Sequence, residues 1–129
     1  LRTVSLAKDV EMQGAMGVVL NAPISNPNML AVSMAIDIPV VATVTRMDTD
    51  IRARLDAGAS ILNVACADRT ADIVRKIRKG FPDVPIIASG GKTNETISRT
   101  IEAGANAITY TPPSTQELFK QIMAGYRDE

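Results

Sequence analysis

A chain of 129 residues with 46% hydrophobic composition suffices for one domain with its own core, and fourteen basic residues balance fourteen acidic ones. No basic cluster stands out, so nucleic-acid or polybasic membrane binding has no electrostatic support, and no apolar run approaches the roughly 20 residues of a membrane span. The single cysteine, Cys66, excludes an intrachain disulfide and suits a reducing cytoplasm, while the absence of histidine removes the commonest general base and metal ligand.

In chain order, residues 3–13 read as a helix ended by Gly14, and residues 17–23 as a short buried strand. Asn26-Pro27 is an N-cap and first-turn pair for a helix through Ala35. A second strand covers residues 39–45, followed by a helix capped by Asp48 or Thr49 that runs through Leu55 and stops at Gly58. Residues 60–66 form a third strand, and residues 70–79 a helix ended by Gly80 and Pro82. The fourth strand follows Pro85, and its helix runs from about 94 to 103 with Thr93 or Asn94 as cap. The fifth strand is 105–111, and Ser114-Thr-Gln-Glu117 is a capping-box pattern opening a last helix. Strands that alternate with helices and are apolar almost throughout predict an α/β fold, its parallel sheet covered on both faces.

The stretch Pro85-Ile-Ile-Ala-Ser-Gly-Gly-Lys-Thr-Asn94 carries the most chemistry. A strand, two glycines and a helix start together make an anion site: glycine lets backbone N–H groups approach a ligand, and the helix start offers unpaired donors at its positive end. Lys92 adds a point charge beside them. A tight βα turn in which glycine serves geometry alone is the competing reading.

An internal repeat organises the rest. A shift of 46 residues places Pro39-Val-Val-Ala42 on Pro85-Ile-Ile-Ala88 and Asp56-Ala-Gly58 on Glu102-Ala-Gly104. The repeating unit is two βα pairs long, the character of a closed (β/α)8 barrel whose odd and even strands fill alternate interior layers. An open doubly wound sheet of flavodoxin-like layout is the alternative. Counting parity from each glycine and proline gathers the polar strand residues on one phase: Asn21, Thr43, Thr45, Asn63, Ser89, Thr109 and Thr111, with Gly91. In a barrel that phase points inward and places these groups at the mouth. Threonine is also a good strand former and Asn21 a good turn residue, so the phase alone leaves both readings open for them.

The phrases Asp83-Val-Pro-Ile-Ile-Ala-Ser-Gly-Gly91 and Glu102-Ala-Gly-Ala-Asn-Ala-Ile-Thr109 resemble the phosphate-binding (β/α)8 barrels, the group that includes indole-glycerol-phosphate synthase. The resemblance implies that these are strands seven and eight, and that Ser89, Gly90 and Gly91 form the first phosphate-holding loop. Thr111 with Pro112 and Pro113 then stands where the second loop would be, and the prolines supply no N–H there. Val40-Val-Ala-Thr-Val44, Gly58-Ala-Ser-Ile-Leu-Asn63 and Ile108-Thr-Tyr-Thr-Pro-Pro113 look closer still to a bacterial barrel family that carries the bare label "hydrolase". Counted back from strand eight, the chain holds strands four to eight of a barrel that typically needs 200 or more residues. The expectation is a partial barrel, completed by a missing N-terminal segment or by self-association into a homo-oligomer.

No lysine or carboxylate lies within a predicted strand, which argues against a Schiff-base aldolase. Asp68, just past the third strand, is the best-placed acid or base, and Arg46 past the second is the matching cation. Both also read as ordinary loop charge. Cys66 has no histidine to activate it and reads as a structural thiol. These features predict an enzyme, a hydrolase or lyase, acting on a small anionic or phosphorylated metabolite at the C-terminal ends of the strands, with no cofactor and no metal. A non-catalytic metabolite-binding or regulatory barrel is the alternative.

Overall fold

The computed structural model describes residues 2–110, 112 and 114–127. Six α-helices and five strands alternate: α1 (Arg2–Met12), β1 (Val18–Leu20), α2 (Asn26–Ala35), β2 (Val40–Val44), α3 (Ile51–Asp56), β3 (Ala59–Val64), α4 (Thr70–Gly80), β4 (Ile86–Ser89), α5 (Asn94–Glu102), β5 (Ala107–Thr109) and α6 (Thr115–Arg127). One turn of 3-10 helix, Ala67–Arg69, precedes α4. The third strand therefore ends at Val64, two residues short of the predicted Cys66.

All strands are parallel, and their order across the sheet is β1-β2-β3-β4-β5. A crossover between parallel neighbours is right-handed, so four crossovers stepping in one direction put α2 to α5 on the same side. Burial follows. Leu20, Ala42, Val44, Leu62, Val64, Ile86 and Ala88 point to the helices and are buried. The alternate residues on the other face, Val41 apart, are half-buried or exposed, from exposed Val19 at one edge to exposed Thr109 at the other. The expectation of helices on both faces is corrected: one face is covered, and the other has the form of a barrel interior. A flavodoxin-like sheet, with its strand order 2-1-3-4-5, is also excluded.

Local signals set the helix ends, with two corrections. Ser25, not Asn26, caps α2 by accepting from Asn28 N at 3.3 Å, with Pro27 in the first turn. Asp50 caps α3 by accepting from Ala53 N at 3.1 Å. Asp48 instead pairs with Arg46, and Thr49 Oγ1 donates to the Arg46 carbonyl, because both lie too far upstream of the first helical turn. Thr93 caps α5 within a reciprocal box with Thr96, and Ser114 and Glu117 bond reciprocally at the start of α6. The three glycines of the repeat, Gly14, Gly58 and Gly104, all have φ near +100°, the left-handed turn that ends a helix.

Long side chains tie the layers together. Glu11 Oε2 accepts from Asp37 N and Ile38 N (2.6 and 3.1 Å), fixing the end of α1 to the loop before β2. Arg54 donates from α3 to the carbonyls of Ala22 and Ile24, at 2.7 and 2.6 Å. Arg78 donates from α4 to the carbonyls of Phe81, Pro82, Val84 and Gly104 and to Asn106 Oδ1. Asn106 Oδ1 also accepts from Ile86 N at 2.9 Å, so one guanidinium holds the approaches to both β4 and β5. By contrast the described side chains of α6 are all exposed, Leu118, Phe119, Ile122, Met123 and Tyr126 among them. No helix among the described residues is long and apolar enough to cross a membrane.

Replacing Arg78 by leucine leaves several carbonyls without a donor and is expected to cost roughly 2–3 kcal/mol in urea unfolding. The same change at Arg75, whose pair with Asp72 is solvent-exposed, is expected to cost under about 1 kcal/mol. Equal losses at the two positions would remove Arg78 from this role.

Candidate functional site

The open face becomes polar toward the C-terminal ends of the strands. Register places Thr43 beside Asn63, Asn63 beside Ile87, and Ser89 beside Thr109. Asn63 Nδ2 donates to Thr43 Oγ1 at 3.4 Å, so these two half-buried side chains satisfy one another across neighbouring strands. Thr43, Asn63, Ser89 and Thr109 thus share one face, as the parity of the sequence predicts. Thr111 and Pro113 lie outside the described residues.

Around this row the loops form two clefts. The first, about 430 Å³, lies above β2 and is lined by Thr43, Thr45, Arg46, Asp48, Asp50 and Arg54, with Ser25 and Asn26 opposite. The second, about 280 Å³, lies between the starts of α4 and α5 and is lined by Asp68, Ser89, Gly90, Gly91, Thr96 and Arg99. Asn21 lines neither; it borders a groove of about 660 Å³ between α1 and β1. Asp68 is therefore brought to Ser89 and the glycines, while Arg46 lines a different cleft and is held by Asp48 at 2.9 Å. Lys92 is exposed beside the second cleft without lining it.

The two glycines do different work. A Cβ on Gly90 would stand 2.5 Å from Ile108 Cγ2, so glycine is required there by packing. Its N–H donates to the Thr109 carbonyl at 2.7 Å and is spent within the sheet, not left for a ligand as the Gly-Gly pattern suggests. Gly91 has φ +76°, and its Cβ would meet Thr96 Oγ1 at 2.8 Å. The capping box engages the N–H groups of Thr93 and Thr96. Among the described residues the N–H groups of Gly91, Lys92, Asn94 and Glu95 have no protein acceptor. Those four are the donors this turn can offer an anion.

Ala67, immediately before Asp68, has φ +45°, the left-handed conformation that L-residues other than Asn and Asp rarely adopt. The turn after β3 is held from both sides. Thr70 Oγ1 accepts from Cys66 N at 2.8 Å and donates to the Ala67 carbonyl at 3.0 Å. Thr70 is buried although polar, and this pair of bonds accounts for it. The strain sets the direction in which Asp68 leaves the chain at the cleft edge. Sequence reasoning missed Thr96 and Arg99 as cleft residues. Their spacing with Thr100 (i, i+3, i+4) marks one face of α5, but only the packing of α5 beside α4 shows what that face borders. Among the described residues no three Cys, Asp or Glu side chains converge as a metal site would need.

No family model and no curated protein matches this chain. Solved structures do match in fold. Mandelate oxidase with (S)-2-phenylpropionate aligns at a TM-score of 0.72 and 17% identity, over 86% of this chain and 45% of that one. The fold is that of a TIM-barrel segment. A phosphonomutase from Burkholderia cenocepacia J2315 aligns at 0.64 and 16% identity over 97% of this chain and 62% of that one. Phosphonopyruvate hydrolase in complex with oxalate and Mg²⁺ aligns at 0.66 and 17% identity, over 92% and 59%. The chain thus spans roughly half the length of the enzymes it resembles.

Ala67→Gly is expected to stabilise the chain by about 0.5–1 kcal/mol. Relief of the roughly 1–2 kcal/mol left-handed penalty exceeds the added entropy of an unfolded glycine, roughly 0.4–1 kcal/mol. Chemical denaturation checks it, with Ala67→Val moving the midpoint the other way. A less stable glycine variant would mean that the turn is unstrained.

Proposed function

We propose that the chain is part of a TIM-barrel-type enzyme acting on a small anionic, phosphorylated metabolite, bound at the C-terminal ends of its strands. The observation that carries this is the convergence of Ser89, Gly91 and Asp68 on one cleft between the starts of α4 and α5, just past the C-terminal end of β4. In this reading the N–H groups of Gly91 and Lys92, the start of α5 and the Lys92 ammonium receive the anionic group. Asn63, Ser89 and Thr109 hold the body of the substrate by hydrogen bonds. Asp68, the carboxylate at the cleft, moves the proton, as a hydrolytic or lyase step requires. Arg46, in the adjoining cleft, offers a charge to a second anionic end. Enzymes among the fold neighbours, one of them holding oxalate, support the class of ligand without fixing the substrate.

A second reading, a barrel that binds such a metabolite without chemistry, is favoured by one observation. The described strands carry no lysine or carboxylate, so Asp68 stands without a strand-borne acid–base partner. The setting proposed in either case is the cytoplasm.

Thermal melting with inorganic phosphate, oxalate and sugar phosphates tests the anion site. At about 100 times its dissociation constant, a ligand specific to the folded state adds roughly 2.7 kcal/mol. Lys92→Glu should abolish the rise; a rise that survives it places the anion elsewhere. Asp68→Asn should keep binding and lose turnover of any metabolite found to react. Turnover unchanged in that variant would eliminate Asp68 as the base.

The partner we propose is a second copy of the chain, or a preceding segment, seated on the unpaired edges of β1 and β5 and the apolar stripe of α6. Sedimentation at tens of micromolar is expected to show association that weakens when Phe119 and Ile122 become glutamate. A clean monomer of the unmodified chain would refute the self-association arm.

A further inference from the structure

A further cavity lies between α3 and α4, in the helix layer. At 1.5 Å per residue the six-residue α3 is about 9 Å long, against about 17 Å for the eleven residues of α4. The mismatch leaves a space of about 310 Å³ between the two helices. Its walls are Val44, Met47, Ile51, Ile73, Ile77 and Phe81. Such a volume is about twice that of a dry apolar cavity that accepts benzene, at the small end of ligand pockets.

The rim is charged, and the charges do not cancel. Asp50 is engaged as the cap of α3, and Arg46 is paired with Asp48. Lys76 donates to the Met47 carbonyl at 2.7 Å, one acceptor for a group with three donors. Arg52 is held over the Phe81 ring, 4.8 Å from its centre, and among the described residues its guanidinium has no hydrogen-bond acceptor. Lys76 and Arg52 come from the two helices that bound the cavity. An apolar interior under two cations with unused donors is complementary to one kind of molecule.

We propose that this cavity binds a free aliphatic carboxylate, its chain among the isoleucines and its carboxylate between Lys76 and Arg52. The Arg52 contact with Phe81 holds the guanidinium at the mouth, so the charge is in place before the ligand arrives. The cavity shares Arg46, Thr49 and Asp50 with the first cleft, but the carboxylate contacts assigned to Lys76 and Arg52 use none of them.

Amide NMR of the whole chain titrated with octanoate, and separately with 1-octanol, tests it. Octanoate is expected to shift resonances along α3 and the facing side of α4, with 1-octanol at least about tenfold weaker, as loss of a charge-assisted contact implies. The double variant Arg52→Gln with Lys76→Gln should weaken octanoate by about the same factor. Gly80→Leu should weaken it, because Gly80 lines the cavity and an added Cβ there meets nothing within 4 Å. The proposal is overturned if octanoate at millimolar concentration shifts nothing there, or if the alcohol binds as tightly. Octanoate binding that is unchanged in either the charge variant or the filled variant overturns it too. The charge variant alters only exposed groups, so it reads out whether or not the filled variant folds.

Discussion

The handedness of the crossover governs this molecule. Each βα step moves one strand along the sheet in the same direction, and a right-handed connection then has only one side on which to lay its helix. Every helix from α2 to α5 therefore protects the same face, and the opposite face is left without cover. The core is in consequence a single layer between sheet and helices, and its fully buried members include Leu62, Val64, Ile86, Val32, Met29, Ile73 and Val74. The same constraint creates the candidate site, because side chains on the uncovered face are free to be polar. Thr43 and Asn63 stand there in register and bond to each other rather than to a helix.

Much of this was legible in the residues. Periodicity and punctuation located all eleven elements, and α2 ends at Ala35 as read, though it starts one residue earlier than an Asn26 cap implies. The parity argument sorted Thr43, Asn63, Ser89 and Thr109 onto one face correctly, because side-chain direction alternates strictly along a strand. What parity could not supply was the side on which each helix would lie. An apolar strand looks the same whether its second face meets helices or a barrel interior, and the expectation of two covered faces failed there. Strand order decides that question, and order is set by long-range pairing that no local window contains.

The caps show the same limit at a smaller scale. Ser25, Asn26, Asp48, Thr49 and Asp50 are all competent N-cap residues, and a shift of one or two positions decides which is used. Asp50 takes the α3 cap because it directly precedes Ile51, while Asp48 lies too far upstream and pairs with Arg46. Arg54 and Arg78 were not legible as fasteners at all. Each lies in or near the last turn of its helix and reads as a solvated charge, yet each reaches carbonyls in loops that are distant in sequence. Carbonyl groups at loop corners cannot be counted from sequence, so the need for a donor there stays hidden until the loops are placed.

The Gly90-Gly91 pair shows how a single motif divides between structure and chemistry. Gly90 is fixed by the approach of Ile108 and contributes its N–H to β5, which makes it part of the sheet. Gly91 takes the left-handed turn that releases the chain from β4 and aims the next N–H groups outward at the head of α5. Thr93 and Thr96 then satisfy each other, which removes two donors from the helix start but fixes the direction of those that remain. A turn built for geometry and a turn built for an anion are thus the same object in sequence. They differ in which N–H groups are already bonded: that of Gly90 is spent on the sheet, whereas that of Gly91, which lines the cleft Asp68 borders, is not.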